Sequence, residues 1–293
     1  MEFIKHSTVV DLLGLTSLIY NYSKDFTLGE NQTIEDFVDN LDQTGGNSKL
    51  TEARNKALHE LSEKSPHGKV IEFISDPDTD LQVAITISET NQRITVTFRG
   101  SESKSDWYYD LMITKHNLHD DVWVHSGFHT QLTTNNVHTK LITKLEELIN
   151  ANPTYKIFVT GHSLGAALST LFGYMISREF SNTDITVVSF ASPRVGDNGW
   201  KKHFDDADNL THYRISNDRD VVTAVPMIGY QHVGINIKLR EDKFEIFREC
   251  DYPWYTYSLF NCWRASDHDC DLYYKRLLKN DWTDQNITLN FFR

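Results

Sequence analysis

An alternation of apolar and polar residues in the second quarter of the chain predicts two paired strands. A period of two places every second side chain on one face, which is typical of a half-buried strand. A short polar break separates the two runs, as in a hairpin. We therefore predict an antiparallel pair over residues 81–98, with a buried face formed by Leu81, Val83, Ile85, Ile87, Ile94, Val96 and Phe98.

Beyond this pair, the pattern alternates between strands and helices. Apolar residues recur at helical spacing over residues 137–149 and 164–176, whereas residues 155–160, 185–190 and 211–215 have the composition of short buried strands. Strands separated by helices form parallel sheets that are covered on both faces. The sequence therefore predicts an α/β fold with a mostly parallel central sheet and helices on both faces.

Residues 7–20 at the N-terminus are fairly apolar, which raises the question of a secretion signal. Asp11 and Gly14 interrupt the stretch, and no small-residue cleavage site follows it. An amphipathic helix with Ser7 as its N-cap fits the pattern better. We accordingly predict a cytoplasmic location in preference to secretion.

Length and charge narrow the class of protein. A chain of 293 residues fits one α/β domain, which we expect residues 1–293 to form. The net charge of −12 disfavours nucleic acid and strongly anionic membranes, because both would repel the chain at long range. No stretch approaches the roughly 18 to 20 apolar residues of a membrane span. We therefore predict no nucleic-acid partner and no transmembrane segment.

The three cysteines, Cys250, Cys262 and Cys270, all lie near the C-terminus. An odd number confined to one region makes a poor disulfide framework. Cys262 and Cys270 flank His268, but this spacing fits no common zinc site. No metal and no cofactor is predicted.

The strongest chemical signal is the sequence GHSLG at residues 161–165. It fits the pattern G-x-S-x-G, and it lies directly after a predicted buried strand and at the start of a predicted helix. A sharp strand-to-helix turn would force Ser163 into strained backbone geometry and raise its hydroxyl above the sheet. This context favours a nucleophilic serine over an ordinary glycine-bounded turn, and it predicts an α/β-hydrolase fold.

A serine nucleophile needs a base to accept its proton and an acid to orient that base. In this fold the acid and then the histidine follow the serine along the chain. Asp220 follows the predicted strand at residues 211–215, at the edge where open α/β sheets place their sites, but Asp218 is an alternative. Spacing alone does not decide among the candidate bases, which are His203, His212, His232 and His268.

Several further motifs occur in the order found in class 3 lipases, a family that includes fungal triacylglycerol lipases. The chain resembles this family over about residues 70–275. The motifs are TFRGS at residues 97–101, DW at 106–107, DL at 110–111, VHSGF at 124–128, GHSLGAA at 161–167, FASPRVG at 190–196 and the segment 217–226.

The resemblance implies roles for individual residues. It assigns Ser163 as the nucleophile, Asp220 as the acid and His268 as the base. Backbone N–H groups of Ser101 and Leu164 would form the oxyanion hole, with the Ser101 hydroxyl as a third donor. The implied substrates are lipid esters, presented at a lipid–water interface. Alternatives on the same machinery are a phospholipase A1, a galactolipase or a soluble carboxylesterase, and an alternative of another class is a catalytically silent lipase-like binding or signalling protein.

Two segments remain open to more than one interpretation. Residues 103–112 would form a short lid helix with Trp107, Tyr108 and Leu111 on one side, or else a fixed surface helix. The aromatic segment at residues 251–263 would line an acyl pocket, touch lipid or pack a small core of its own. Fungal members carry a disulfide that joins the two ends, whereas this chain has no cysteine before Cys250.

Overall fold

The computed structural model describes residues 3–20, 22, 33, 68–101, 114–247 and 264–283. The strands in these ranges are β1 (Lys69–Asp76), β2 (Leu81–Ser88), β3 (Arg93–Phe98), β4 (Lys115–His119), β5 (Val122–His125), β6 (Lys156–His162), β7 (Ile185–Phe190), β8 (Leu210–Asn217), β9 (Ile235–Leu239) and β10 (Phe244–Phe247). The helices are α1 (His6–Leu18), α2 (Ser126–Thr133), α3 (Val137–Ala151), α4 (Leu164–Glu179), α5 (Asn198–Asp205) and α6 (Cys270–Lys279). Short 3-10 turns cover Thr134–Asn136, Val222–Ala224 and Ala265–His268.

The central sheet has the strand order β1-β2-β3-β6-β7-β8-β9-β10, and β4 pairs with β5 in a separate hairpin. Strands β2 and β3 pair antiparallel with Val83 opposite Phe98 and Ile87 opposite Ile94, as the alternation predicted. From β3 to β9 every neighbouring pair is parallel, and the antiparallel strands β1 and β10 form the two edges. The prediction of a mostly parallel sheet in an α/β-hydrolase fold is confirmed.

Alternate residues of the central strands feed two separate apolar layers. On β6, Ile157 and Val159 pack with residues of α2 to α5, whereas Phe158 packs on the opposite face with residues of α1 and α6. Burying a large apolar side chain contributes about 1.5–3 kcal/mol, so both layers hold the strands in place. The carboxyl ends of β6, β7 and β8 therefore share one edge of a sheet that is covered on both faces.

The first helix differs from its prediction at its start. Helix α1 begins at His6, its N-cap residue is Lys5, and no side chain caps it, so the prediction of Ser7 as the N-cap is wrong. Burial fixes this helix in place of a cap: Leu12 and Leu13 are fully buried, and the buried Asp11 forms an ion pair with Arg93 at the start of β3.

Noncovalent contacts join the N-terminal helix to the last described residues. The indole Nε1 of Trp282 donates to the carbonyl of Ile4 at 3.0 Å, and Nε2 of His6 donates to the carbonyl of Leu277 at 2.9 Å. The His6 and Trp282 rings meet edge to face at 4.7 Å. Within the described ranges, no helix is both long and apolar enough to cross a membrane.

Candidate active site

Ser163 lies at the junction between β6 and α4, in a backbone conformation that few residues adopt. Its φ is 62° and its ψ is −124°. Such a conformation costs about 1–3 kcal/mol and persists only where the surroundings hold it. Here the Ser163 N–H donates to the Phe190 carbonyl at 3.0 Å, and the Ser163 carbonyl accepts from Ala166 N at 3.0 Å. The turn therefore fixes the direction of the Ser163 side chain.

Two glycines make this turn sterically feasible. A Cβ at Gly161 would lie 2.3 Å from the carbonyl oxygen of Gly165, and a Cβ at Gly165 would lie 2.3 Å from that of Phe98. Backbone cannot yield as a flexible side chain can, so any side chain at either position would move the turn itself. The glycines of GHSLG thus allow the close approach of helix to sheet.

The side chains of Ser163, His268 and Asp220 form one hydrogen-bonded chain. Nε2 of His268 lies 2.8 Å from Oγ of Ser163, and Nδ1 lies 3.0 Å from each carboxylate oxygen of Asp220. Because an ionised carboxylate can only accept, Nδ1 carries the proton in the neutral ring and Nε2 is left to accept the serine proton. Asp220 is fully buried, while the His268 side chain is 20% exposed and reaches the surface of the site.

Two further donors hold the Asp220 carboxylate. Oδ1 accepts from the Val222 N–H at 2.9 Å, and Oδ2 accepts from the Tyr273 hydroxyl at 2.7 Å. That hydroxyl in turn accepts from the Asn217 N–H at 2.9 Å. Burial raises the pKa of Tyr273 well above its ordinary value, with the Asp220 charge adding to the effect, so the phenol stays a donor. These donors supply the hydrogen bonds that a carboxylate buried away from water requires.

His162 connects the serine turn to the histidine. Its Nε2 donates to the backbone carbonyl of His268 at 2.9 Å, and its Nδ1 lies 3.1 Å from the Tyr20 hydroxyl. Since the carbonyl can only accept, Nε2 carries the proton, and the neutral ring accepts from Tyr20 at Nδ1. The His162 and His268 rings are 4.6 Å apart.

The loop that carries Asp220 is braced from two sides. The guanidinium of Arg194 donates to the carbonyls of Ala224 and Pro226, the second at 3.3 Å. On the other side, the side-chain amide of Asn217 donates to the Asp267 carbonyl at 2.8 Å, immediately before His268. These bonds fix the acid and the base relative to each other although they are distant in sequence.

The structure places the alternative acid and bases elsewhere. Asp218 forms ion pairs with Lys238 and Arg240 at 3.2 and 2.8 Å, whereas Asp220 is the carboxylate bonded to His268. The other three histidines have partners of their own, which are Asp121 for His203, Ser189 for His212 and the Thr223 carbonyl for His232. Burial lowers the pKa of His212 to about 3 and that of His232 well below its usual value, so neither is suited to accept a proton.

The two expected oxyanion donors lie beside the serine turn. Strand β3 runs parallel to β6 with Phe98 opposite Gly161, and a Cβ at Gly100 would lie 2.6 Å from the His162 carbonyl. Ser101 therefore comes directly after a residue, Gly100, that packs against the turn containing Ser163. Leu164 is the first residue of α4, where the N–H groups have no partner within the helix.

The remaining site predictions lie outside the described residues. Trp107, Tyr108 and Leu111 fall in residues 102–113, and the aromatic segment falls in residues 248–263. Sequence reasoning missed two residues that the structure brings to the site, Tyr273 and His162. His162 stands inside the GHSLG motif, but no sequence signal marks Tyr273, which lies 53 positions from the carboxylate it contacts.

Comparison with known proteins gives a consistent set of relatives. Residues 95–230 match the sequence model of the family described as lipase (class 3). "Secreted mono- and diacylglycerol lipase A" of Penicillium cyclopium is 31% identical over 167 residues, 56% of this chain and 53% of that protein. "Galactolipase DONGLE, chloroplastic" of Arabidopsis thaliana is 31% identical over 49% of this chain and 37% of that protein. The chain thus spans about half the length, or less, of the curated relatives it matches.

The fold comparison extends over more of the chain. The crystal structure of a lipase from Rhizopus microsporus var. chinensis superposes with a TM-score of 0.70 at 22% identity, covering 90% of this chain and 85% of that one.

The relatives also correct one prediction. A cytoplasmic location in preference to secretion is wrong, because the matched relatives include lipases named as secreted. That prediction rested on Asp11 and Gly14, which interrupt the apolar stretch at residues 7–20.

Proposed function

We propose that this chain, which belongs to the class 3 lipase family, hydrolyses carboxylic esters of lipids through an acyl-enzyme formed on Ser163. The observation that carries the proposal is the geometry of the three side chains. Nε2 of His268 lies 2.8 Å from the Ser163 hydroxyl and its Nδ1 lies 3.0 Å from the buried Asp220 carboxylate. This is the arrangement in which an imidazole can withdraw a proton from a serine.

In the first half of the reaction, His268 accepts the proton of Ser163 while Oγ attacks the ester carbonyl. A C–O bond forms, and the carbonyl oxygen becomes an oxyanion. The backbone N–H groups of Ser101 and Leu164 donate to it, at the positive end of α4. The tetrahedral species then collapses: the bond to the leaving alcohol breaks, and His268 gives that alcohol its proton.

In the second half, water repeats the attack on the acyl-enzyme. His268 accepts a proton from the water, the hydroxide adds to the acyl carbon, and Oγ of Ser163 leaves with the proton returned by His268. The fatty acid is released. Asp220 remains ionised throughout, holds the Nδ1 proton in place and stabilises the imidazolium. Its complete burial strengthens that stabilisation, because the surroundings have a low dielectric constant.

Relatives support lipid esters as the substrate class, since they are named as mono- and diacylglycerol lipase, galactolipase and phospholipase A1. These names differ in headgroup and agree in the bond that is broken. A phospholipase A1, galactolipase or soluble carboxylesterase activity therefore stays open within the same reaction class. The assembled chain of Ser163, His268 and Asp220 argues against a catalytically silent binding protein.

The test is hydrolysis of p-nitrophenyl esters of increasing acyl length by the native chain and by Ser163→Ala. We expect activity that rises with acyl length and disappears in the variant, while circular dichroism shows both chains folded. Hydrolysis that survives in Ser163→Ala would refute the assigned nucleophile. A folded native chain with no activity on any ester, in solution or as an emulsion, would refute the proposed function.

A further inference from the structure

Two adjacent apolar side chains project into solvent from one loop. Met227 is 52% exposed and Ile228 is 76% exposed. Among the described residues, only two other large apolar side chains are comparably exposed, Trp123 and Leu278, and neither has such a neighbour in sequence. A single exposed apolar residue needs no explanation, whereas adjacent ones on a loop indicate a contact surface.

Hydrogen bonds anchor the loop on both sides of the exposed pair. Before it, the Pro226 carbonyl accepts from Arg194 at 3.3 Å. After it, the Gly229 carbonyl accepts from Nζ of Lys115 at 2.6 Å, and the Tyr230 hydroxyl donates to the Thr114 carbonyl at 3.1 Å. We call residues 226–230 the Met227–Ile228 loop. These bonds anchor the loop on both sides, and the Met227 and Ile228 side chains are exposed between the anchors.

The position of this loop relates it to the triad. The loop follows Asp220 by six residues, across the turn Val222–Ala224. Arg194, which braces it, lies four residues past the carboxyl end of β7, on the sheet edge that carries Ser163. The loop is therefore bonded to the same edge of the sheet as Ser163, the edge at which an ester would reach the serine.

The charge of the segment that carries the loop differs from that of the whole chain. The protein has 41 acidic residues, yet residues 221–240 contain none. Nζ of Lys115 lies 4.9 Å from the centre of the buried Tyr230 ring, which places a cation beside the exposed pair. A lysine side chain suits a boundary between apolar and aqueous phases, because its stem is apolar and its end is charged. The loop thus offers an apolar tip with no carboxylate of its own, in a chain whose net charge of −12 would repel an anionic surface.

We propose that the Met227–Ile228 loop inserts into the surface of neutral or zwitterionic lipid and holds the triad face against it. The inference rests on the proposed function for its purpose, because it names the surface from which that site takes its substrate. Insertion buries Met227 and Ile228 in the acyl region while Lys115 remains at the headgroup level.

The binding test uses the full chain with Ser163→Ala, so that lipid is not consumed. Sedimentation with phosphatidylcholine vesicles measures the bound fraction of this chain, of Met227→Ser/Ile228→Ser added to it, and of Leu278→Ser added to it. Leu278 is the matched control, since it is 49% exposed and lines a cavity at the start of β6 and β7, on the opposite edge of the sheet. We expect the loop variant to bind vesicles at least about tenfold more weakly and the control to bind as before.

A catalytic test follows with an active Ser163. The ratio of activity on emulsified triolein to activity on soluble p-nitrophenyl butyrate falls about tenfold in the loop variant and stays constant in Leu278→Ser. Ile228→Trp should raise vesicle binding, which keeps the idea testable if the double serine variant does not fold.

The outcomes separate the two proposals. Failure of the native chain to bind vesicles, or equal binding by the loop variant, overturns the insertion. So does a native dimer that the loop substitutions convert to a monomer in size-exclusion chromatography without any change in vesicle binding, because the loop would then bind a second copy. Vesicle binding that depends on the loop, in a chain without any esterase activity, would retain the surface and refute the proposed function.

Discussion

Acid should destabilise this protein through a histidine that takes no part in the proposed chemistry. His212 lies on β8, almost fully buried, with Nε2 at 2.8 Å from the Ser189 hydroxyl. Burial lowers the pKa of His212 to about 3, and the nearby Arg214 adds to the shift. In the unfolded chain the same side chain has a pKa of about 6.5.

The sign and size of the effect follow from these two pKa values. Because the folded pKa lies below the unfolded one, the unfolded chain binds more protons between them. The stability that the neutral ring contributes is therefore complete above about pH 6.5 and is lost as the pH falls. Each unit costs about 1.4 kcal/mol, so the loss between pH 7 and pH 5 is about 2 kcal/mol. This figure depends little on the exact folded value, since pH 5 lies well above it.

The measurement is urea unfolding, followed by tryptophan fluorescence, at pH 7 and at pH 5. His212→Asn keeps a polar side chain near Ser189 but cannot titrate. We expect the variant to be less stable than the native chain at pH 7, yet to lose about 2 kcal/mol less between the two pH values. Ser189→Ala is the control, because it removes the hydrogen bond and leaves the buried ring. Between pH 7 and pH 5 it should lose as much unfolding free energy as the native chain. An equal loss in His212→Asn and the native chain would refute the reasoning.

Three substitutions test the site itself. Tyr273→Phe leaves Oδ2 of Asp220 without its phenol donor, so the unfolding free energy should fall by about 1–3 kcal/mol and kcat should drop. If the variant matches the native chain in both quantities, the phenol is dispensable. Gly165→Ala places a Cβ 2.3 Å from the Phe98 carbonyl and should cost about 1–3 kcal/mol and most of the activity, so native melting and turnover would contradict the steric account. Ser101→Ala should lower kcat about 100-fold with little change in melting temperature, and unaltered turnover would remove its hydroxyl from the mechanism.

The sheet was predictable from the sequence because its strands carry local signals. Residues 185–190 have the bounds predicted for them. Strand β6 begins one residue later and ends two residues later than predicted, and β8 begins one residue earlier and ends two residues later. The GHSLG motif identified the strand-to-helix turn for the same reason, since the steric demand that makes Gly165 necessary acts within a few residues. The N-cap of α1 was not predictable, because burial against β3 and β6 determines where that helix begins.

Other features of the site depend on contacts between distant parts of the chain. Asp218 and Asp220 share one loop and have the same charge, and only the twist of that loop directs one to Lys238 and the other to His268. Tyr273 reaches Asp220 across 53 positions through the packing of α6 on the sheet. No spacing rule contains this information, because it arises when the two apolar layers form.

The most direct test of the central claim is covalent trapping of the nucleophile with a p-nitrophenyl alkylphosphonate. Attack by Oγ of Ser163 would form a P–O bond and displace p-nitrophenolate, leaving a stable phosphonyl ester in place of the acyl-enzyme. We predict one equivalent of p-nitrophenol per chain, the added mass on the peptide that contains Ser163, loss of esterase activity in step with labelling, and no labelling of His268→Ala. Full ester hydrolysis by a chain that carries no label at Ser163, or labelling at Ser163 that leaves hydrolysis intact, would contradict the account.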